Sequence, residues 1–291
     1  MTAPASPPAV PLAKRLKFQL VRAIRGAGLL GAADACRFQV RRWKTDALNR
    51  RFLAGRPGFR PPPADLAFDA YNHFDWERYW EGGRFHAEFF AEAIRSALPE
   101  GPLRVLEWGC GPGRIIRHLP GLLADRGAAL TGTDYNPRTI AWCREALPGI
   151  SFAQNALMPP LPFADGSFDA VYNFSVFTHL SREVQLAWAD ELWRVLRPGG
   201  VMLCTTQGSG YRHMLASEEE RARYDAGELI VQGKYREGAK WFFAVHPPRF
   251  VHEQLLRRFE EVEALAFPPE PGVRGDLLLQ DVWRARKPAP G

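Results

Sequence analysis

The chain has 291 residues, with 38 Lys plus Arg against 32 Asp plus Glu, a formal net charge of +6. Residues 1–60 hold 13 of those bases and only Asp34 and Asp46, a balance of +11 that leaves −5 for the remainder. A mildly acidic body behind a basic arm excludes a uniformly basic nucleic-acid-binding domain, and 46% hydrophobic residues exclude global disorder.

Residues 1–11 are Pro/Ala-rich. Leu12, Leu16, Leu20 and Ile24 then recur every four residues among Lys14, Arg15, Lys17, Arg22 and Arg25, which predicts a basic amphipathic helix. A second basic segment, Arg37 to Arg51, follows Gly26–Gly31, and Pro57 with Pro61–Pro63 mark a linker. The aromatic run Tyr71 to Trp80 precedes a helix at about 83–98. From Leu103 strands and helices alternate. Strands are expected at 103–107, 129–134, 150–153, 168–174 and 201–206, with helices at 115–124, about 137–146 and 181–196. Residues 208–246 break the rhythm with a charged helix at Glu218–Asp225. A last helix at Arg249–Phe259 and a closing strand at Leu277–Arg286 follow.

This alternation predicts an α/β fold, a Rossmann-like, doubly wound, seven-stranded and mainly parallel sheet with helices on both faces. The basic helical N-terminal extension and linker take residues 1–66 and the α/β domain 67–291, with an insertion at about 208–246, a long irregular segment of the kind that carries ligand recognition in such folds. Cys36, Cys110, Cys143 and Cys204 show no metal-ligand or disulfide spacing. No apolar run reaches the ~18–20 residues of a membrane span, and the first residues lack the order of a signal peptide. The expectation is a soluble, cytoplasmic, metal-independent protein.

The segment Val105-Leu106-Glu107-Trp108-Gly109-Cys110-Gly111-Pro112-Gly113-Arg114 carries most of the chemistry. Its glycines follow a strand and precede a helix, where a backbone without side chains turns tightly and approaches a ligand closely. The second strand ends at Asp134, where a carboxylate can accept both hydroxyls of a ribose. A dinucleotide fingerprint requires glycine or alanine at position 114, which is Arg, and a pyrophosphate tolerates no carboxylate such as Glu107 beside it. An NAD-dependent oxidoreductase is therefore disfavoured, and S-adenosylmethionine, with its ammonium and sulfonium, fits better.

The runs EWGCGPGR, TGTDYNP, FAQNALMPPLPFADGSFDAVYNFSVFTHL and LWRVLRPGG resemble, in order and spacing, the motifs of class I S-adenosylmethionine-dependent methyltransferases over about residues 100–207. In flavour the chain is similar to bacterial methyltransferases associated with polysaccharide and glycan biosynthesis. The resemblance implies that Gly109, Cys110, Gly111 and Gly113 line the methionine part of the cofactor, with Glu107 toward its amino end. It implies that Asp134 holds the ribose, that Tyr135 and Asn136 lie beside the adenine, and that Asn155 and Ala156 stand where the family commonly has Asp-Ala. Asn173 and Ser175 would meet the methionine moiety. Apart from the resemblance, Arg84 is a candidate partner for the cofactor carboxylate, the alternative being a surface charge. His179 is the candidate general base, the alternative being a helix-start histidine that orients its loop. His213, His246 and His252 are weaker candidates.

The implied reaction moves a methyl group from S-adenosylmethionine to an acceptor hydroxyl on a saccharide or lipid-linked glycan, leaving S-adenosylhomocysteine. A small-molecule or lipid methyltransferase of secondary metabolism is the alternative, and a non-catalytic cofactor-binding partner protein is another. A nucleic-acid amino-methyltransferase would need an Asn/Asp-Pro-Pro-aromatic tip on strand four, which ends Tyr-Asn-Phe-Ser instead. The basic arm suits peripheral contact with the inner membrane face, because amphipathic Lys/Arg spacing matches anionic headgroups.

Overall fold

A computed structural model describes residues 30–232, 237–268 and 280–289. The helix expected at Leu12–Ile24 lies outside them, as do residues 277–279 of the closing strand.

At the centre stands β1 (Arg104–Trp108), whose last four residues are buried. It pairs in parallel with β2 (Ala129–Asp134) on one side and β4 (Phe168–Tyr172) on the other. Outside these run β3 (Ser151–Gln154) and β5 (Leu196–Thr206), also parallel. The described residues form a seven-stranded sheet in the order β3-β2-β1-β4-β5-β9-β8, where β8 is Glu260–Leu265 and β9 Asp281–Arg286. The strand order reverses at β1 and β4, so their C-terminal ends open a crevice, the usual ligand position in such sheets.

Successive residues of each strand serve opposite layers, as the two-residue strand period requires. Val105, Tyr172 and Leu203 pack on one face with Phe90 and Ile94 of α3 (Trp76–Ala97) and Ile140 of α4 (Pro137–Ala146). Leu106, Val171 and Met202 pack on the other with Trp188 and Leu192 of α5 (Arg182–Val195). These three helices each start on a side-chain cap: Asp75, Asn136 and Ser181 accept from backbone N–H groups of the first turns.

Several elements differ from the sequence expectation. α3 begins at Trp76 because the Asp75 cap outweighs the poor helix propensity of Gly82-Gly83. Gly83 is also a packing requirement, since a Cβ there would lie 2.1 Å from Arg114 O. The helix expected at 115–124 is broken into short turns, Ile116–His118, Leu119–Leu122 and Ala124–Arg126, with Pro120 inside. That expected at 249–259 is a short helical stretch, Pro248–Phe250, running into a π-helical turn, Val251–Leu255. β8 was not expected: its Glu-rich sequence reads as surface, yet it pairs antiparallel with β9 through Glu261–Arg286 and Glu263–Arg284 ion pairs.

The second basic segment lies within α1 (Leu30–Ala54). Phe38, Phe52 and Leu53 of α1 pack on a cluster of Phe59, Phe68, Phe74, Trp76 and Tyr79, so the stretch expected as a linker is docked on the body, with Phe59 buried. Asn49 ties α1 further by donating to Phe74 O and accepting from Trp76 N–H. The short helix α2 (Ala64–Tyr71) follows. The insertion holds α6 (Glu218–Asp225) and a two-stranded ribbon, β6 (Ile230–Gln232) with β7 (Phe243–Val245), around a small core of Tyr211, Leu215, Tyr224, Ile230 and Val245.

Candidate active site

A cavity of about 580 Å³ opens at the C-terminal ends of β1, β2, β4 and β5. Its size lies within the range typical of small-molecule and cofactor pockets. The glycine loop forms its floor. Gly109 and Gly111 have φ of 75° and 50°, and both N–H groups of Gly109 and Cys110 donate to Thr133 O at 2.8 Å. A Cβ on Gly109 would lie 2.4 Å from the Val176 side chain, and one on Gly111 2.8 Å from Tyr71 Oη. At these two positions the loop can show the cavity only bare backbone.

Asp134 sits beside this loop and lines the cavity. Its Oδ2 accepts from Gly111 N–H (3.0 Å) and its Oδ1 from Asn136 N–H (2.8 Å). Burial pushes its pKa up to about 6, against the pull of those two donors. Tyr135 and Asn136 line the same wall. So do Asn155 and Ala156. Asn155 Nδ2 donates to Ala156 O (2.7 Å), while its Oδ1 is buried and has no hydrogen-bond partner among the described residues. An unsatisfied buried acceptor at that place fits the exocyclic amine of an adenine.

Glu107 does not line the cavity, contrary to the expectation that it faces the cofactor's amino end. Its Oε2 lies beneath the loop, accepting from Tyr172 Oη (2.8 Å) and Ile116 N–H (3.1 Å), and burial raises its pKa to about 8. It fastens the loop from behind. Cys110 and Gly113 are also turned away: Cys110 packs in the core, and a Cβ on Gly113 would meet Leu147 at 2.5 Å. Asn173 lies fully buried behind the cavity, with neither amide atom partnered among the described residues. Ser175 does line it, at φ 65°, with its N–H donating to Thr205 Oγ1 and its hydroxyl accepting from Gln280 Nε2 (both 2.7 Å).

Arg84 is likewise outside: it is exposed and paired with Glu81 and Glu88. Arg114, which the sequence reading used only to exclude a dinucleotide, lines the cavity beside the glycine loop, with Arg78 and Lys240 as further lining cations. It is buried, its guanidinium stacks near Tyr71 and Phe174 (5.1 and 5.3 Å), and its Nε has no partner among the described residues. Beside it lies His73, whose pKa falls to about 3 through burial and the neighbouring charges of Arg78, Arg114 and Arg41. This cationic end suits a carboxylate. The aromatic run is thus divided: Tyr71 and His73 line the cavity, while Phe74, Trp76 and Tyr79 are core.

His179 lines the opposite wall, in the short turn Phe177–His179. Its Nδ1 lies 2.9 Å from Phe242 O. A carbonyl can only accept, so Nδ1 carries the hydrogen and Nε2 keeps its lone pair. Burial lowers the pKa, which keeps the ring neutral near pH 7. Tyr211, Lys240 and Phe243 from the insertion, and Gln207, Phe267 and Gln280 from the end of the sheet, complete this wall. His213, His246 and His252 do not line it; His246 is fully buried with Nε2 3.2 Å from Gln185 Oε1. Among the described residues no cluster of His, Cys, Asp and Glu has metal-binding geometry. Nor is any described helix long and apolar enough to cross a membrane.

A parallel sheet with a glycine turn after β1 and a carboxylate ending β2 defines a nucleoside-cofactor-binding α/β domain. Residues 106–204 match the family model described as a methyltransferase domain. The chain carries a class I S-adenosylmethionine-dependent methyltransferase domain. It is similar to a probable S-adenosylmethionine-dependent methyltransferase of Mycolicibacterium smegmatis, 40% identical over 102 residues, covering 35% of this chain and 37% of that protein. A fatty-acid O-methyltransferase of the same species is 36% identical over 148 residues, covering 50% and 51%. The chain thus spans about half or less of these relatives' lengths. Among solved structures, Streptomyces venezuelae DesVI shares the fold at a TM-score of 0.53 and 16% identity, covering 79% of this chain and all of that one.

Proposed function

We propose that the protein transfers a methyl group from S-adenosylmethionine to the hydroxyl of an acceptor with a largely apolar body, such as a lipid or lipid-linked glycan. One observation carries this reading: a histidine whose Nδ1 is engaged by Phe242 O, leaving Nε2 without a partner among the described residues, lines the same cavity as Asp134 and Asn155. S-adenosylmethionine supplies a methyl activated by a positive sulfur. Asp134 would accept the ribose hydroxyls, Asn155 Oδ1 the adenine amino hydrogen, and Arg114 would pair with the methionine carboxylate. His179 Nε2 would take the acceptor's hydroxyl proton, its ring held in the correct tautomer by Phe242 O. Holding acceptor and donor in line contributes about 7–11 kcal/mol in well-oriented systems.

The aromatic side chains Phe174, Phe243 and Phe267 around the acceptor wall favour an apolar body. The similarity to a fatty-acid O-methyltransferase supports the same choice. Calorimetry with S-adenosylhomocysteine and with NADH tests the cofactor: a signal with the first and none with the second is expected, and the reverse overturns the reading. Transfer of labelled methyl from S-adenosylmethionine to hydroxylated lipids and lipid-linked saccharides, with mass-spectrometric location of the new methyl, tests the acceptor. Methylation on nitrogen or carbon alone would reject the hydroxyl assignment.

A further inference from the structure

The outer face of α1 has a composition that packing among the described residues does not explain. Phe38, Phe52 and Asn49 occupy the inner face, against the aromatic cluster and the Phe74–Trp76 backbone. Cys36, Val40, Trp43 and Ala47, spaced i, i+4, i+7 and i+11, share the opposite face. Cys36 and Ala47 are exposed, Val40 is 45% exposed and Trp43 81%. Among the described residues a Trp so open is an expensive surface choice, since burying an aromatic of this size is strongly favourable.

The flanks of this stripe are cationic. Lys44 and Arg51 border it on one side and Arg50 on the other, with Arg42 further round. Arg50 pairs with Asp46, whereas Arg42, Lys44 and Arg51 form no ion pair among the described residues. The rest of the chain beyond residue 60 carries a net −5. An anionic surface would therefore repel the body and attract this face, which fixes orientation as well as affinity.

We propose that the outer face of α1 docks in the plane of an anionic lipid bilayer, with Val40 and Trp43 entering the headgroup boundary between Lys44 and Arg51 on one side and Arg50 on the other. A tryptophan flanked by Lys and Arg on one helix face is the pattern of interfacial helices. The docked face also orients the active site. On the inner side of α1, Asp34 pairs with Lys240 (2.5 Å), a cavity-lining residue whose ammonium also lies 4.2 Å from the Phe68 ring centre. The cavity's cover is then about one helix diameter, ~10 Å, from the lipid headgroups. This inference concerns location and does not depend on which acceptor is methylated.

The test is flotation of the full chain with vesicles of phosphatidylcholine alone or mixed with phosphatidylglycerol. Binding to the mixed vesicles, little to phosphatidylcholine alone, and release at high salt are expected. The double variants Val40→Ser/Trp43→Ser and Lys44→Glu/Arg51→Glu should each partition about tenfold more weakly or worse. Unchanged melting temperatures would show that both variants fold, as side chains on an exposed face allow. Three results would overturn the proposal: no binding by the wild-type chain, equal binding to neutral vesicles, or variants that bind as well as wild type. A dimer in solution that Val40→Ser/Trp43→Ser converts to monomer, without any vesicle binding, would also reject it and make the stripe a subunit interface.

Discussion

The two walls of the cavity are built differently. The cofactor wall comes from three strand tips that follow one another in the chain: Gly109 to Arg114 after β1, Asp134 to Asn136 after β2, and Asn155 to Ala156 after β3. The wall proposed for the acceptor is gathered from distant places: Ser175, Val176 and His179 after β4, Tyr211, Lys240 and Phe243 in the insertion, and Phe267 and Gln280 near β8 and β9. The first wall is fixed by backbone hydrogen bonds and so tolerates few sequences. The second is held by side-chain packing and can be rebuilt for another acceptor without disturbing the sheet.

If the walls are separable, changes in each should affect different measurements. The largest effect is expected for His179→Ala, which should lower the transfer rate by about 10²–10⁴-fold with S-adenosylhomocysteine affinity nearly unchanged in calorimetry. An equal loss in cofactor affinity would show that the histidine belongs to the cofactor wall. Asp134→Ala should weaken S-adenosylhomocysteine binding by about 10–100-fold, because hydrogen bonds to a charged group contribute about 1.5–3 kcal/mol. An unchanged dissociation constant would mean the ribose lies elsewhere.

Arg114→Met should cost roughly tenfold in the same titration, the scale of one charge-assisted contact, whereas Arg84→Ala should cost nothing. The opposite ranking would restore Arg84 as the carboxylate partner. The smallest effect near neutrality is that of pH. Burial raises the Asp134 pKa to about 6, and only the ionised form accepts two ribose hydroxyls. Affinity should therefore be flat above pH 7 and fall as pH drops through about 6, approaching tenfold per unit below it. In the apo protein the sign is reversed: a carboxyl with a raised folded-state pKa is stabilised by protonation, so this group favours folding more at pH 4 than at pH 7. Asp134→Asn should remove both dependences.

Reading the sequence alone succeeded where the physics is local. A glycine pattern between strand and helix, a carboxylate at the next strand tip and a period-two run each need only neighbouring residues. That is why six of the seven strands, the loop and Asp134 at a strand tip were legible before any coordinates, whereas Asn155 came from the family resemblance. It failed where direction depended on partners far away. Glu107 and Gly109 are two residues apart, yet Tyr172 and the Ile116 N–H draw the carboxylate under the loop and out of the cavity. Arg84 was a candidate for the cofactor carboxylate, but Glu81 and Glu88 on its own helix hold it at the surface. β8 was missed because an edge strand can carry alternating charge when the next strand supplies arginines.

The arm shows the same division. Charge arithmetic located a basic segment at the N-terminus, and no structure was needed for that. Only tertiary packing revealed that α1 has two apolar sides, an inner one set against Phe59, Phe68 and Phe74 and an outer one bearing Trp43. In sequence the two sides overlap and cancel, leaving no single stripe to read. The glycine loop and the alternation of strands and helices were written in the chain because backbone conformation is a local property. The burial of Glu107, the entry of Arg114 into the cavity and the outward face of Trp43 were decided by the fold, because burial belongs to neighbours that only folding brings together.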